Sequence, residues 1–500
     1  MTKSARPNDL ATRVRDMALR FTKIPSITGS ESEAQFAEGL AGELTGFDKV
    51  WTTAIPGGAY PRKNLFALRK GRSKATVVLT GHFDVVPVDD YGALDAFDAE
   101  ALLAPTIARL KATGENPLAL ADFESGDFLP GRGLLDMKAG LAAGLAAIAA
   151  YQGEATLLFM AVADEENGSA GARAAVPALK SAAHDHGLDI RLVINLDAIS
   201  DQKDGAGARV VTYGSIGKQL ITAHVVGKEV HAGYAREGAN AAYIAAELLT
   251  EFEFSPRLVE IMGTEQTAPP TALYAKDGKQ GYNVTTPASA FIYWNTLQYR
   301  RTPEDVLAIC RDLASTALVR AEKRVGRSIP LFTFSELAQT LDAPALKAVA
   351  ASLAIDAALD LPEKIKRISE QAWALSGRTG PAVILGFGSI PYPAVLMKDL
   401  KLRAAIEQAV APFGIGGLNY FAGISDMSCY GEAQGSLAAV AANTPGWGTV
   451  FEMHEPAGLP TINLGPWGRD YHHWLERLHA PYAFETLPRA LLAVIEAVTA

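Results

Sequence analysis

Val77-Val78-Leu79-Thr80-Gly81-His82-Phe83-Asp84-Val85-Val86-Pro87 reads as a buried strand that runs into a chemical site. The apolar run predicts a strand of a parallel sheet. It ends in glycine, then a histidine, then an aspartate two residues on. Strand side chains alternate with period two, so His82 and Asp84 can point the same way. In α/β folds ligands collect at the carboxyl ends of strands, where this pair falls. His82 is therefore a candidate metal ligand, with Asp84 holding its other ring nitrogen and fixing the tautomer. A histidine in an ordinary strand-to-loop turn is the alternative.

The flanking sequence extends the same grammar. Residues 8–24 predict an amphipathic helix, and Ser30 is placed to cap a second helix at 31–44. Asn64–Leu68 predicts a strand that turns at Gly71-Arg72-Ser73 into the opening strand, as a hairpin-like pair. Residues 88–131 predict a long functional loop or insertion, with a short helix at 104–111. A helix from Ala139 to Tyr151 follows, and its small face (Ala139, Gly140, Ala143, Gly144) suits close packing on a sheet. Ala155–Val162 and Leu192–Leu196 are further strands. Strand, helix, strand, helix, strand is the order of a mostly parallel sheet with helices on both faces.

The pattern changes near residue 210. A β-like alternation at 219–227, a helix at 239–250, strands at 257–263 and 289–296, and a helix from Pro303 follow a β-α-β-β-α-β style order. Residues 213–334 thus predict a separate α+β domain inserted into an α/β domain made of 1–212 and 335–500.

Composition bounds the rest. A chain of 500 residues with 49% hydrophobic content has room for at least two domains and a large core. Its formal charge of -9 argues against a nucleic-acid partner. Cys310 and Cys429 lie far apart, which fits a reducing compartment and excludes a disulfide scaffold. The N-terminal MTKSARPNDLATRVRD has no continuous apolar run of the secretory kind, and Ala139–Ala150 is too short to span a bilayer. A cytoplasmic protein with no membrane association is expected.

Acidic and histidine positions recur at strand ends: His82, Asp136, Glu165-Glu166 and Asp197, joined by His472 in GPWGRDYHHW. In a parallel sheet such ends converge on one rim. Two histidines and three carboxylates are the inventory of a two-metal site, and Asp136 is a candidate bridge between ions about 3.5–4 Å apart. Zinc suits mixed imidazole and carboxylate ligands, as cobalt and manganese do. Adjacent glutamates divide labour: one turns to the metal and its neighbour reaches the attacking water as general base. A helix N-terminus decorated with acids is the plainer reading of Asp164–Asn167.

The set GHFDVVP, GRGLLDMKAG, ADEENGS, NLDAISD and GPWGRDYHHWLE resembles the M20 family of zinc-dependent metallopeptidases and related amidohydrolases. Among its branches the chain most resembles the bacterial arginine-utilisation protein group. The long insert before residue 131, GKEVHAGYAREGANAAY, YNVTTPASAF, YFAGISDMS and GPWGRDYHHW carry that likeness. The resemblance implies a zinc-hydrolase catalytic domain with an inserted lid and dimerisation domain, two zinc ions and a homodimer. It implies His82 and Asp197 as ligands of the first metal, Glu166 and His472 of the second, and Asp136 as the bridge. It makes Glu165 the general base and Asp84 the residue that orients His82. His473 competes with His472, which is preferred because Glu476 reproduces the family's His-x-x-x-Glu spacing. Asp201 is a rival to Asp197. His231, in GKEVHAG, matches a lid histidine that helps hold the tetrahedral oxyanion, commonly in the partner subunit's site.

The substrate is expected to be a small amide or peptide-like compound derived from an amino acid. Arg132, Arg300, Arg301 and Arg469 are candidate partners for its carboxylate. Asn240 is a candidate substrate contact or a helix cap. An N-acyl amino-acid deacylase of the same chemistry, and a non-catalytic metal-dependent binding protein, are the alternatives.

Overall fold

The computed structural model describes residues 7–200, 209–421 and 423–500. The chain divides into two units. The first comprises Met1–Ser215, Val395–Glu432 and Pro456–Ala500; the second comprises Ile216–Ala394 and Ala433–Glu455.

The opening stretch is an inner strand of the first unit, Ala75–His82. It pairs in parallel with Thr156–Val162 on one side and Asp189–Asn195 on the other. All three are strongly apolar where they are buried, as doubly covered strands must be. The full sheet runs, in spatial order, Lys49–Ala54, Lys63–Arg69, Thr156–Val162, Ala75–His82, Asp189–Asn195, Thr461–Asn463, Val210–Thr212 and Gly416–Leu418. The helix Ala139–Ala150 packs against this sheet. A Cβ on Gly140 would lie 2.1 Å from the Leu196 carbonyl oxygen, so that approach requires glycine.

Three expectations change in the first unit. The sheet is mixed rather than mostly parallel. Lys49–Ala54 and Lys63–Arg69 form an antiparallel hairpin, and the latter pairs antiparallel with Thr156–Val162. The strands at 63–69 and 75–82 are not a hairpin pair, because Thr156–Val162 lies between them. Residues 88–131 are largely ordered structure: helices Ala99–Thr113 and Pro117–Ser125, then the short strand Phe128–Pro130. Asp98 and Asn116 cap the two helices, and Gly114 and Gly126 end them in left-handed conformations. Phe128–Pro130 joins a small sheet ordered Phe128–Pro130, Arg477–His479, Trp467–Arg469, Ile199–Ser200. That sheet ties the chain around His472 to the strand end that carries Asp197.

The second unit holds a five-stranded sheet, Thr271–Asp277, Ser289–Gln298, Gly217–Val226, Ala382–Phe387 and Leu331–Thr333. Helices Ala241–Phe252 and Pro303–Val325 pack together. The Pro303 helix starts with the capping box Thr302/Asp305. The unit does not end at 334 as expected. Ala382–Phe387 pairs antiparallel with Gly217–Val226, so the chain returns to the first unit only at Val395. Helices Ala343–Ala354 and Leu361–Leu375 belong to this second unit as well. No described helix is long and apolar enough to cross a membrane.

Candidate metal centre

Local geometry brings five of the expected residues together at the rim of the first sheet. His82 ends its strand, and its Nε2 lies 3.1 Å from Asp136 Oδ1 and 3.7 Å from Asp197 Oδ1. The second oxygen of Asp136 faces a different imidazole, 3.2 Å from His472 Nε2. His472 Nε2 is also 3.0 Å from Glu166 Oε2. Among the described residues, His82, Asp136 and Glu166 form one group able to hold a metal ion, with ligand atoms within 4.8 Å of one another.

Each member is held from behind. The Glu476 carboxylate accepts the backbone N–H of Gly133 at 2.9 Å and of Asp136 at 3.4 Å, while its other oxygen accepts Arg132 Nη1 at 2.8 Å. Asp197 is fixed by Asn463, whose side chain accepts the Asp197 N–H and donates to its carbonyl oxygen. His472 has a φ of 62°, the left-handed region that non-glycine residues enter at a cost. Of the two adjacent histidines, His472 reaches the carboxylates. His473 is exposed, and its Nδ1 accepts the Leu475 N–H.

Asp84 has a wider role than orienting His82. His82 Nδ1 lies 3.0 Å from the Asp84 backbone carbonyl and 3.6 Å from its carboxylate. The carbonyl is thus the nearer partner of the ring. The carboxylate instead accepts the Glu165 N–H at 3.1 Å, the Glu166 N–H at 3.2 Å and the Thr28 hydroxyl at 2.9 Å. The turn bearing the two glutamates is anchored from its other side by Arg62, which is paired with Asp164. Asp164 Oδ2 also accepts the Ala170 N–H at the start of the next helix.

The electrostatics are those of a crowded acidic hole. Burial pushes the Glu165 carboxyl well above its ordinary range, opposed by His82 and reinforced by Asp426, Asp197 and Glu166. Burial and the Asp136 charge raise Glu166 to about 7. Burial disfavours charge on His472, yet Asp136 and Glu166 outweigh it and raise the imidazole to about 10. For Asp136, the two histidines outweigh the burial that would raise it and hold it below the usual carboxylate range. Buried carboxylates that draw this much positive charge onto imidazoles fit a divalent cation. Mixed oxygen and imidazole donors suit zinc, cobalt or manganese.

The remaining expected residues are placed elsewhere. His231 belongs to the second unit. It is exposed, and its Nδ1 accepts the Gly233 N–H at 3.1 Å. Asn240, in the same unit, caps Ala241–Phe252, its Oδ1 accepting from Ala242 and Tyr243. The helix-cap reading therefore accounts for it. Arg469 is buried, with its Nη1 on both oxygens of Asp122 at 2.8 and 2.6 Å. Arg132 is spent on Glu476 and Asp90. Neither guanidinium is a free carboxylate clamp. Asp201 lies outside the described residues.

Sequence reading missed Arg62, Asn463 and Asp426. Arg62 and Asn463 carry no metal-ligand pattern. Asp426 sits within the quoted YFAGISDMS segment. It is buried, and its charge is the foremost carboxylate influence on Glu165.

This fold and cluster define a metal-dependent hydrolase of the metallopeptidase and amidohydrolase type. The chain belongs to Peptidase family M20/M25/M40, whose sequence profile matches residues 78–455. It is 32% identical to the Bacillus subtilis protein YqjN, over 94% of each chain. It is 27% identical to the Bacillus subtilis protein RocB, over 96% of this chain and 93% of RocB. Among solved structures it is similar to a tripeptidase from Staphylococcus aureus, with TM-score 0.56, 17% identity and 98% of each chain covered.

Proposed function

We propose that the protein is a dinuclear-zinc hydrolase that cleaves an amide or peptide bond of a small amino-acid-derived substrate. The observation that carries this reading is the split of Asp136, one oxygen facing His82 at 3.1 Å and the other facing His472 at 3.2 Å. A carboxylate shared in this way is the arrangement a pair of ions needs. His82 and Asp197 would hold one ion, Glu166 and His472 the other, with Asp136 common to both. When bound, the two ions would polarise the scissile carbonyl and acidify the attacking water.

The protein's own groups do the proton work. Glu165 carries no hydrogen bond on its carboxylate among the described residues, so it is available to a water. It takes a proton from that water as oxygen attacks the carbonyl carbon. It returns the proton to the amide nitrogen as the carbon–nitrogen bond breaks. Asp84 keeps Glu165 and Glu166 in register through their backbone N–H groups. His231 donates a hydrogen bond to the oxyanion of the tetrahedral intermediate. The same reading makes the enzyme a cytoplasmic homodimer in amino-acid catabolism, without nucleic-acid or membrane partners.

The test pairs metal counting with substrate panels. Two ions per chain and turnover of dipeptides support the proposal. Turnover of N-acyl amino acids alone moves the reading to a deacylase. One ion per chain at full activity overturns the bridging role of Asp136, and full metal loading with no turnover in either panel favours a binding protein.

A further inference from the structure

A cavity of about 770 Å³ lies wholly within the second unit, between the sheet and the helices Ala343–Ala354 and Leu361–Leu375. Its volume is in the range of small-molecule sites. Its wall includes His224, near the end of Gly217–Val226 and paired between Phe291 and Ile384. His224 is 3% exposed, and its Nδ1 is buried with no hydrogen-bond partner. A buried, unpartnered imidazole nitrogen is uncommon in a folded chain. Burial, reinforced by the nearby Lys366 charge, lowers this histidine to about 4, so it is a neutral ring near pH 7.

The helix Leu361–Leu375 supplies the charges. Glu363 serves two cations, Lys366 at 3.1 Å and Arg367 Nε at 3.0 Å. Arg367 makes no further hydrogen bond through its Nη groups among the described residues. Glu370, one turn on, is half-buried and forms no hydrogen bond or ion pair among them. The wall therefore offers one uncommitted carboxylate and one guanidinium with free donors, three residues apart on one helix face.

We propose that this cavity binds a zwitterionic amino acid or short peptide, its ammonium on Glu370, its carboxylate on Arg367, and His224 hydrogen-bonded to the group between them. Two acids and two bases on the wall balance, so a ligand with one charge of each sign leaves no excess. The Arg367 fork suits a carboxylate in the two-pronged way that a lysine does not. Only the second unit forms the cavity, so occupancy there is separable from binding at the metal centre.

The test is hydrogen exchange on the metal-loaded Glu165→Gln protein, so that the added peptides and blocked forms are not turned over at the metal centre. L-Leucine, L-arginine, L-glutamate and Gly-Leu are added at millimolar concentration, each beside its N-acetyl and carboxamide forms. The expected result is slowed exchange in 217–226 and 361–375 with at least one free zwitterion. That protection should be lost when either terminus is blocked. Glu370→Gln, which keeps the side-chain shape and removes its charge, should weaken the response about tenfold or more. His224→Phe should abolish it. The proposal is overturned if no zwitterion protects these segments, if blocked forms protect equally, or if both variants respond as the parent does.

Discussion

The carboxylate of Asp84 accepts the backbone N–H of Glu165 at 3.1 Å. The side chain beside one proposed metal ligand thereby positions the backbone of the proposed base. Asp84→Ala should lower kcat/KM by on the order of 10- to 100-fold, as loss of an orienting partner does. Asp84→Asn should fall in the same direction, because Glu165 and Glu166 donate to different Asp84 oxygens and the amide NH2 that replaces one of them cannot accept. Steady-state kinetics on dipeptides checks this; unchanged kcat/KM in both variants would remove the anchoring role.

Glu165→Gln should cut kcat by on the order of 10²–10⁴ while the metal content per chain stays at the parent value. Elemental analysis of the same preparation used for kinetics separates a lost base from a lost ion. A parallel loss of metal would make Glu165 a ligand instead.

The two adjacent histidines should behave differently. His472→Ala removes the ring 3.0 Å from Glu166 and should lower both metal stoichiometry and activity. His473→Ala removes an exposed ring and should leave both within about twofold of the parent. Chelation should abolish activity, and zinc, cobalt or manganese should restore it. The reverse ranking of the two variants would reassign the ligand.

Glu33 offers a test by pH. It is buried, and burial with the Asp84 charge raises its carboxyl to about 7, opposed by the Gly29 N–H and Arg62. A folded-state value above the unfolded one means that the native state prefers the protonated acid. Its ionisation therefore costs no stability below the unfolded value of about 4.5, and the cost grows until about pH 7. Glu33→Gln keeps the acceptor for Gly29 and cannot ionise. Its Tm should gain on the parent between pH 4.5 and pH 7 and then hold level. A Tm difference independent of pH would show that Glu33 titrates normally.

Gly465 is a backbone requirement. A Cβ there would sit 2.0 Å from the Asp197 carbonyl oxygen. Gly465→Ala should cost about 2 kcal/mol or more in denaturant unfolding and should disturb Asp197.

Much of the centre was legible because its chemistry is local. His82, Asp136, Glu166 and His472 each stand in a short segment whose residue types announce a ligand. The supports were not legible, since Arg62, Asn463 and Thr28 act through contacts with segments distant in sequence. The strand at 75–82 was read correctly, but its neighbours were not. Parallel pairing across about eighty residues, as between Ala75–His82 and Thr156–Val162, leaves no turn signature. The insert before 131 reads as loop with one short helix at 104–111, whereas the first helix runs from Ala99 to Thr113 with Pro105 inside it. Its caps at Asp98, Gly114, Asn116 and Gly126 were the better guide. Arg469 shows the converse: a guanidinium suited to a substrate carboxylate was already matched to Asp122.

The return of the chain to the first unit has a consequence for synthesis. The second unit needs Ala433–Glu455, and the first needs Pro456–Ala500. A ribosome that has made the opening strand and its histidine therefore holds, for most of translation, a sheet without Thr461–Asn463 and a centre without His472. Neither unit can be released as one uninterrupted fragment. The apolar strand Asp189–Asn195 is therefore without its native neighbour until Thr461–Asn463 has been made, and an unpaired apolar strand edge is prone to wrong partners.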